Sequence, residues 1–91
     1  MKLIFCKVCH DVVKLQLFER QCKCGKCTGA YKEDGMNVVV RGPVVVLGMD
    51  NYSFAYAFRQ HLVDGSNQGL TAFIIPTDCK KVERIGDARN V

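Results

Sequence analysis

The stretch Cys6-Lys7-Val8-Cys9, followed after a spacer of twelve residues by Cys22-Lys23-Cys24-Gly25-Lys26-Cys27, decides how this chain is read. A Cys-x-x-Cys turn lets two thiolates point at one metal, and a second tight cysteine turn closes the tetrahedron that Zn²⁺ prefers. The spacing therefore predicts a zinc ribbon. Five cysteines crowd the stretch, one more than a tetrahedral site takes. Cys6, Cys9, Cys22 and Cys24 are the expected ligands, because Gly25 directly after Cys24 supplies the open backbone position that metal-binding turns use. Cys27, paired with Cys24 through Gly25-Lys26, is the alternative ligand. A disulfide set is the competing reading of the same spacing, and two adjacent tight turns without a secretory leader speak against it. Cys79 stands far away and reads as a small buried apolar residue.

Ninety-one residues allow one domain with a limited core, so a metal staple meets a physical need. The ribbon occupies about 1–31, and strands with one helix fill about 36–86. Thirteen Lys and Arg against nine Asp and Glu leave a net charge of +4, short of a nucleic-acid-binding tail. The opening Met-Lys-Leu-Ile-Phe-Cys is too short an apolar run for a signal peptide, and Arg41-Gly42-Pro43 interrupts the longest apolar stretch, Met36 to Met49, before it could span a bilayer. The expectation is a soluble cytoplasmic protein whose thiols stay reduced and available to metal, with no membrane partner.

Along the chain, Lys2 to Phe5 and Val12 to Phe18 read as strands on either side of the first cysteine turn, and Glu33-Asp34-Gly35 closes the ribbon with a turn. Met36 to Arg41 and Val44 to Leu47 are rich in β-branched residues and read as neighbouring strands joined by a turn or bulge at Gly42-Pro43. Asp50 or Asn51 is placed to cap a helix from about Tyr52 to Val63, stopped at Asp64-Gly65. On a 3.6-residue wheel Phe54, Ala55, Phe58 and Leu62 form the core stripe, with Tyr52, Tyr56, Arg59 and Val63 beside it. Ser66 to Gly69 is a polar loop, Leu70 to Ile75 a strand ended by Pro76, Lys81 to Ile85 a short last strand, and Gly86 to Val91 a frayed tail. The fold class is α+β: a small zinc ribbon joined to a short antiparallel β-sheet with one helix.

These residues carry a resemblance. Cys6-x-x-Cys9, Arg20-x-Cys22-x-Cys24-Gly25-x-x-x-Gly29-x-Tyr31, Gly42-Pro43 with Leu47-Gly48, and Ala72-Phe73-x-Ile75-Pro76 with Cys79 resemble a group of small bacterial and phage proteins with a zinc-ribbon start. The group's Cys-x-Cys-Gly turn implies Cys22 and Cys24 as ligands and leaves Cys27 as this chain's departure. The resemblance implies a fold and a bacterial or phage regulatory or defence setting, and carries no activity with it.

An all-cysteine zinc is closed and electronically quiet, so its expected role is structural. His10 beside Cys9 points away from a tight turn, and His61 lies on the polar side of the helix. No Ser-His-Asp order, paired acids or phosphate-cradling loop is present, so an enzyme is the lesser expectation. Three binding readings compete. In the first, a small anionic, nucleotide-like ligand sits at the helix start, held by Asn51, Tyr52, Ser53, Tyr56 and Arg59, with Asp50 opposing it. In the second, Lys7, Lys23 and Lys26 at the ribbon tips bind nucleic acid. In the third, the valine strands or the tyrosine stripe form a protein interface, which also explains a homodimer or higher homo-oligomer. The helix entry and the tyrosines place the nucleotide-like ligand first.

Overall fold

The computed structural model describes residues 1–85, so the expected frayed tail lies outside the described residues. The fold is α+β. In chain order the elements are β1 (Lys2–Cys6), β2 (Val12–Lys14), β3 (Arg20–Gln21), β4 (Thr28–Tyr31), β5 (Val38–Arg41), β6 (Val44–Met49), α1 (Asn51–Asp64), β7 (Ala72–Ile74) and β8 (Val82–Ile85). They build two four-stranded sheets, β2-β1-β6-β7 and β3-β4-β5-β8. Every pairing is antiparallel except β5 with β8, which runs parallel in the register Val38↔Val82 to Arg41↔Ile85.

The two valine strands are neighbours in sequence only: β5 lies in one sheet and β6 in the other. The chain changes sheets at Gly42-Pro43, where Gly42 adopts φ 95° and packs so closely that a Cβ would land on the carbonyl oxygen of Lys26. That left-handed backbone favours glycine, and a proline next to it cannot offer a ladder N–H, so pairing of β5 with β6 is broken at the corner. The ribbon is likewise not a separate body, since β1 pairs with β6 over Lys2↔Gly48 to Cys6↔Val44 and β4 pairs with β5 over Thr28↔Arg41 to Tyr31↔Val38.

Alternation along the strands places Ile4 and Cys6 of β1, Val38 and Val40 of β5, and Val44 and Val46 of β6 in one buried cluster with Leu15, Cys22 and Cys27. Gly29 lets the sheets approach, because a Cβ there would meet Leu15 Cδ2 at 2.8 Å. Hydrogen bonds stitch the layers at their margins: Lys2 N donates to Tyr31 Oη at 2.7 Å, and Arg84 Nη1 donates to the Val44 carbonyl at 3.1 Å. Val12 to Phe18 is a strand only as far as Lys14; Leu15 then turns into the core while Leu17 and Phe18 are exposed. Cys79 packs against the core and is half-buried.

The helix has the expected ends and an unexpected face. Asp50 caps it by accepting from Tyr52 N at 3.2 Å, and Gly65 closes it in the left-handed conformation. The expected core stripe, however, faces solvent: Phe54, Phe58 and Leu62 are 40, 54 and 66% exposed, and Ala57 is the buried residue of the helix. The cause is the small, polar side of the helix. Ser53 Oγ donates to the Asp50 carbonyl and accepts from Thr71 N at 2.8 Å, which pins that side to the segment entering β7 and turns the aromatic side outward. Because β7 pairs antiparallel with β6, α1 and the return to Thr71 form an excursion from the end of the sheet.

Truncating Ile4, which is fully buried between the sheets, to alanine is expected to cost about 2–5 kcal/mol in urea unfolding of the metal-loaded protein. Leu17→Ala, at a residue 69% exposed, should stay within about 0.5 kcal/mol of wild type. Equal costs at the two positions would mean that the core does not lie around Ile4.

Candidate metal centre

Four sulfurs meet at one end of the molecule. The Sγ atoms of Cys6, Cys9, Cys22 and Cys24 all lie within 4.8 Å of one another, the arrangement of a metal site. Cys6 Sγ lies 3.7 Å and Cys22 Sγ 3.5 Å from Cys24 Sγ. A tetrahedron with metal–sulfur bonds of 2.3 Å has edges of about 3.8 Å, so this donor set fits a thiophilic tetrahedral ion such as zinc.

Local backbone explains why the sulfurs converge. Cys6 ends β1, and the chain reverses so that the N–H groups of Val8 and Cys9 both point at Cys6 Sγ from 3.4 Å while His10 N donates to the Cys6 carbonyl. His10 takes the left-handed position of this turn, φ 61°, and stacks on Phe5 with ring centroids 5.4 Å apart, so it serves the turn and stands outside the sulfur group. The second turn repeats the device: Cys27 N donates to Cys22 Sγ at 3.4 Å, and Gly25 N donates to the Cys22 carbonyl. Cys27 itself is fully buried in the apolar cluster and is not one of the four grouped sulfurs.

The proton affinities follow from the crowding. Burial opposes ionisation of Cys6, but the N–H groups of Cys9 and Val8 and the neighbouring thiols outweigh it and bring its pKa down to about 6. Cys22 is lowered in the same way, burial being outweighed chiefly by the Cys27 N–H. At Cys24 the Lys26 N–H favours the thiolate, yet desolvation and the adjacent thiols of Cys22, Cys9 and Cys6 push it up to about 11. Burial drives the Cys27 thiol well above its ordinary range. Four thiolates this close repel one another, and a divalent cation supplies the charge that lets all of them ionise.

The same end carries cations. Lys7 N donates to the Pro43 carbonyl at 3.0 Å, Lys26 lies against Gly42, and Arg41 pairs opposite Thr28 directly after Cys27. Across the ribbon Lys23 N donates to Asp11 Oδ2 at 2.9 Å. Lys7, Lys23, Lys26 and Arg41 are all exposed, and the ion pair found among the described residues, Lys32 with Glu83, involves none of them. Residues 1–32 hold seven Lys and Arg against two Asp and Glu, whereas the remainder hold six against seven, so the positive charge belongs to the ribbon half. Arg41 escaped the sequence reading because only the register of β5 against β4 brings it to this end.

Of the helix residues expected to hold a nucleotide, Asn51 lines one of the two cavities against the helix, with Phe54, Ala55 and Phe58, whereas Tyr52, Tyr56 and Arg59 border neither. Tyr52 is 89% and Tyr56 64% exposed, and the other cavity is lined by Phe54, Ala57, Phe58 and His61. Tyr52 N is already taken by the Asp50 carboxylate, and Ser53 Oγ by Thr71 N. No protein-family model, curated protein or solved structure matches the chain. Among the described residues, no helix is long and apolar enough to cross a membrane.

Cys27→Ala is expected to retain one metal per chain by native mass spectrometry, while Cys22→Ser and Cys24→Ser lose tight binding. Retention by Cys22→Ser with loss by Cys27→Ala would move the fourth ligand to Cys27. Chelation should loosen both sheets together, because binding energy at such a site is folding energy.

Proposed function

We propose that the protein is a non-catalytic module, stabilised by structural zinc, whose metal end binds nucleic-acid phosphates. The observation that carries this reading is the convergence of Lys7, Lys23, Lys26 and Arg41, exposed and without carboxylate partners among the described residues, around one tightly built end. Four thiolates are the donor set that soft-to-borderline zinc favours, and with all four positions filled by protein the ion keeps no open site for a substrate. Its contribution is rigidity: it holds the two turns that carry the lysines.

Contacts of this kind neutralise phosphates and release counterions, so they bind by charge and not by sequence. A zinc with four thiolates carries two net negative charges, which moderate the patch from beneath. Affinity in the non-specific range, between about 10⁻⁴ and 10⁻⁶ M at physiological salt, is therefore expected. The nucleotide-like ligand at the helix start has less support, since Asp50 places a carboxylate at that helix end and Tyr52, Tyr56 and Arg59 border neither cavity against the helix.

Fluorescence anisotropy with a labelled 20-mer oligonucleotide tests the reading. Zinc-loaded protein should bind with a log–log salt slope of about −2 to −3, and Lys23→Ala, Lys26→Ala or Arg41→Ala should each flatten it by about 0.7 while leaving zinc content unchanged. If no oligonucleotide binds and the lysine variants instead lose zinc, these cations serve only to balance the thiolate charge.

A further inference from the structure

The outward side of α1 is continuous with a larger apolar surface. Phe54 and Phe58 share one cavity with Leu70 and a second with Met1, and Met1 shares a third with Phe73, whose ring lies over Gly48. Leu62 follows Phe58 by one turn on the same helix side. These six residues are 38–66% exposed. At about 200 Å² for a fully exposed large apolar residue, they leave about 600 Å² of one contiguous surface in water, the upper end of what a monomer shows.

We propose that this surface is the two-fold interface of a homodimer, in which the α1 and Leu70 surface of one chain covers the same surface of a second copy. Three observations select a second copy. First, the helix cannot account for its own order: it has 14 residues and one buried side chain, and isolated helices of this length are marginal in water. Second, the six side chains are all apolar. The charge among these residues is the Met1 α-ammonium, which is hydrogen-bonded to the Met49 carbonyl and Asn51 Oδ1, with Lys2 and Lys81 bordering the Phe73 cavity, so the centre of the surface can face a second copy of itself without bringing like charges together. Third, the area closes. Two such surfaces bury about 1,200 Å² from these side chains alone, at the threshold of a specific stable interface before any polar rim is added.

The interface extends to a strand edge. β7 ends its sheet with all three residues exposed, and Phe73 of the apolar surface belongs to it. Covering this surface therefore also shields an edge that would otherwise pair indiscriminately. The metal end is left clear, because β1 and β6 run antiparallel, Lys2 against Gly48 and Cys6 against Val44, which places α1 and the sulfurs at opposite ends of those strands. The inference stands independently of the nucleic-acid reading.

Sedimentation velocity of the zinc-loaded full chain tests it from about 1 to 100 μM. A species of twice the 10.2 kDa chain mass is expected, shifting to monomer in Leu62→Asp and, separately, in Leu70→Asp. Zinc content and far-ultraviolet circular dichroism report that both variants remain folded, and Leu17→Asp, on another surface, should remain dimeric. Hydrogen exchange supplies a readout without substitution: on dilution below the dimer midpoint, α1 amides should exchange at least tenfold faster while β1 and β6 amides do not. A wild-type monomer at 100 μM overturns the proposal. So does a dimer that both variants leave intact.

Discussion

Closure of four sulfurs ties the two sheets together at one end. Cys6 is the last residue of a strand in one sheet, while Cys22 and Cys27 bound the turn that joins β3 to β4 in the other, so bringing Cys6 and Cys9 to Cys22 and Cys24 fixes the separation and angle of the layers. Single hydrogen bonds also cross between the sheets, among them Lys2 to Tyr31, Arg84 to Val44 and Arg20 to Lys14, each worth about 1 kcal/mol. A core of this size cannot order the loop from Leu15 to Glu19 and two cysteine turns by burial alone, and the metal-binding geometry takes over that task.

Cys27 is the residue on which the two systems meet. Its N–H donates to Cys22 Sγ while its side chain is fully buried with Val40 and Val44 in the apolar cluster. The extra cysteine of the ribbon is thus a small apolar residue with a backbone duty, the role free cysteine takes when buried. Spacing alone did not separate these roles, because Cys22-x-Cys24 and Cys24-x-x-Cys27 are both workable chelating turns. The decision rests on β4 beginning at Thr28, which draws Cys27 inward with the strand.

Features set by neighbours in sequence were legible in advance: the first metal turn, Asp50 and Gly65 at the helix ends, and the β-branched strands all depend on contacts within a few residues. Features set by distant partners were not. The separation of β5 from β6 depends on the Lys26 backbone packing against Gly42, the parallel pairing of β8 depends on the course of the whole second half, and Arg41 reaches the metal end only through β4. The strand β4 itself, Thr-Gly-Ala-Tyr, has almost no β-branched content and exists because β5 and β3 pair on its two sides. The helix failed for a different reason. Its wheel reveals which residues are apolar, not whether the protein or something outside it covers them.

That distinction gives the two ends of the strands their different physics. At the Cys6 end the chain concentrates charge and rigidity, with cations held on backbone turns that cannot move once the sulfurs are tied. At the Met49 end it concentrates apolar area on a helix held to its own fold by Asp50, Ser53 and Thr71. A charged, rigid surface suits a polyanion, whose attraction is long-ranged and tolerant of position; an apolar helix needs contact and close packing. Placed side by side, the cations would have to be desolvated by whatever covers the helix. Antiparallel β1 and β6 keep them a strand's length apart, so covering one end costs the other nothing.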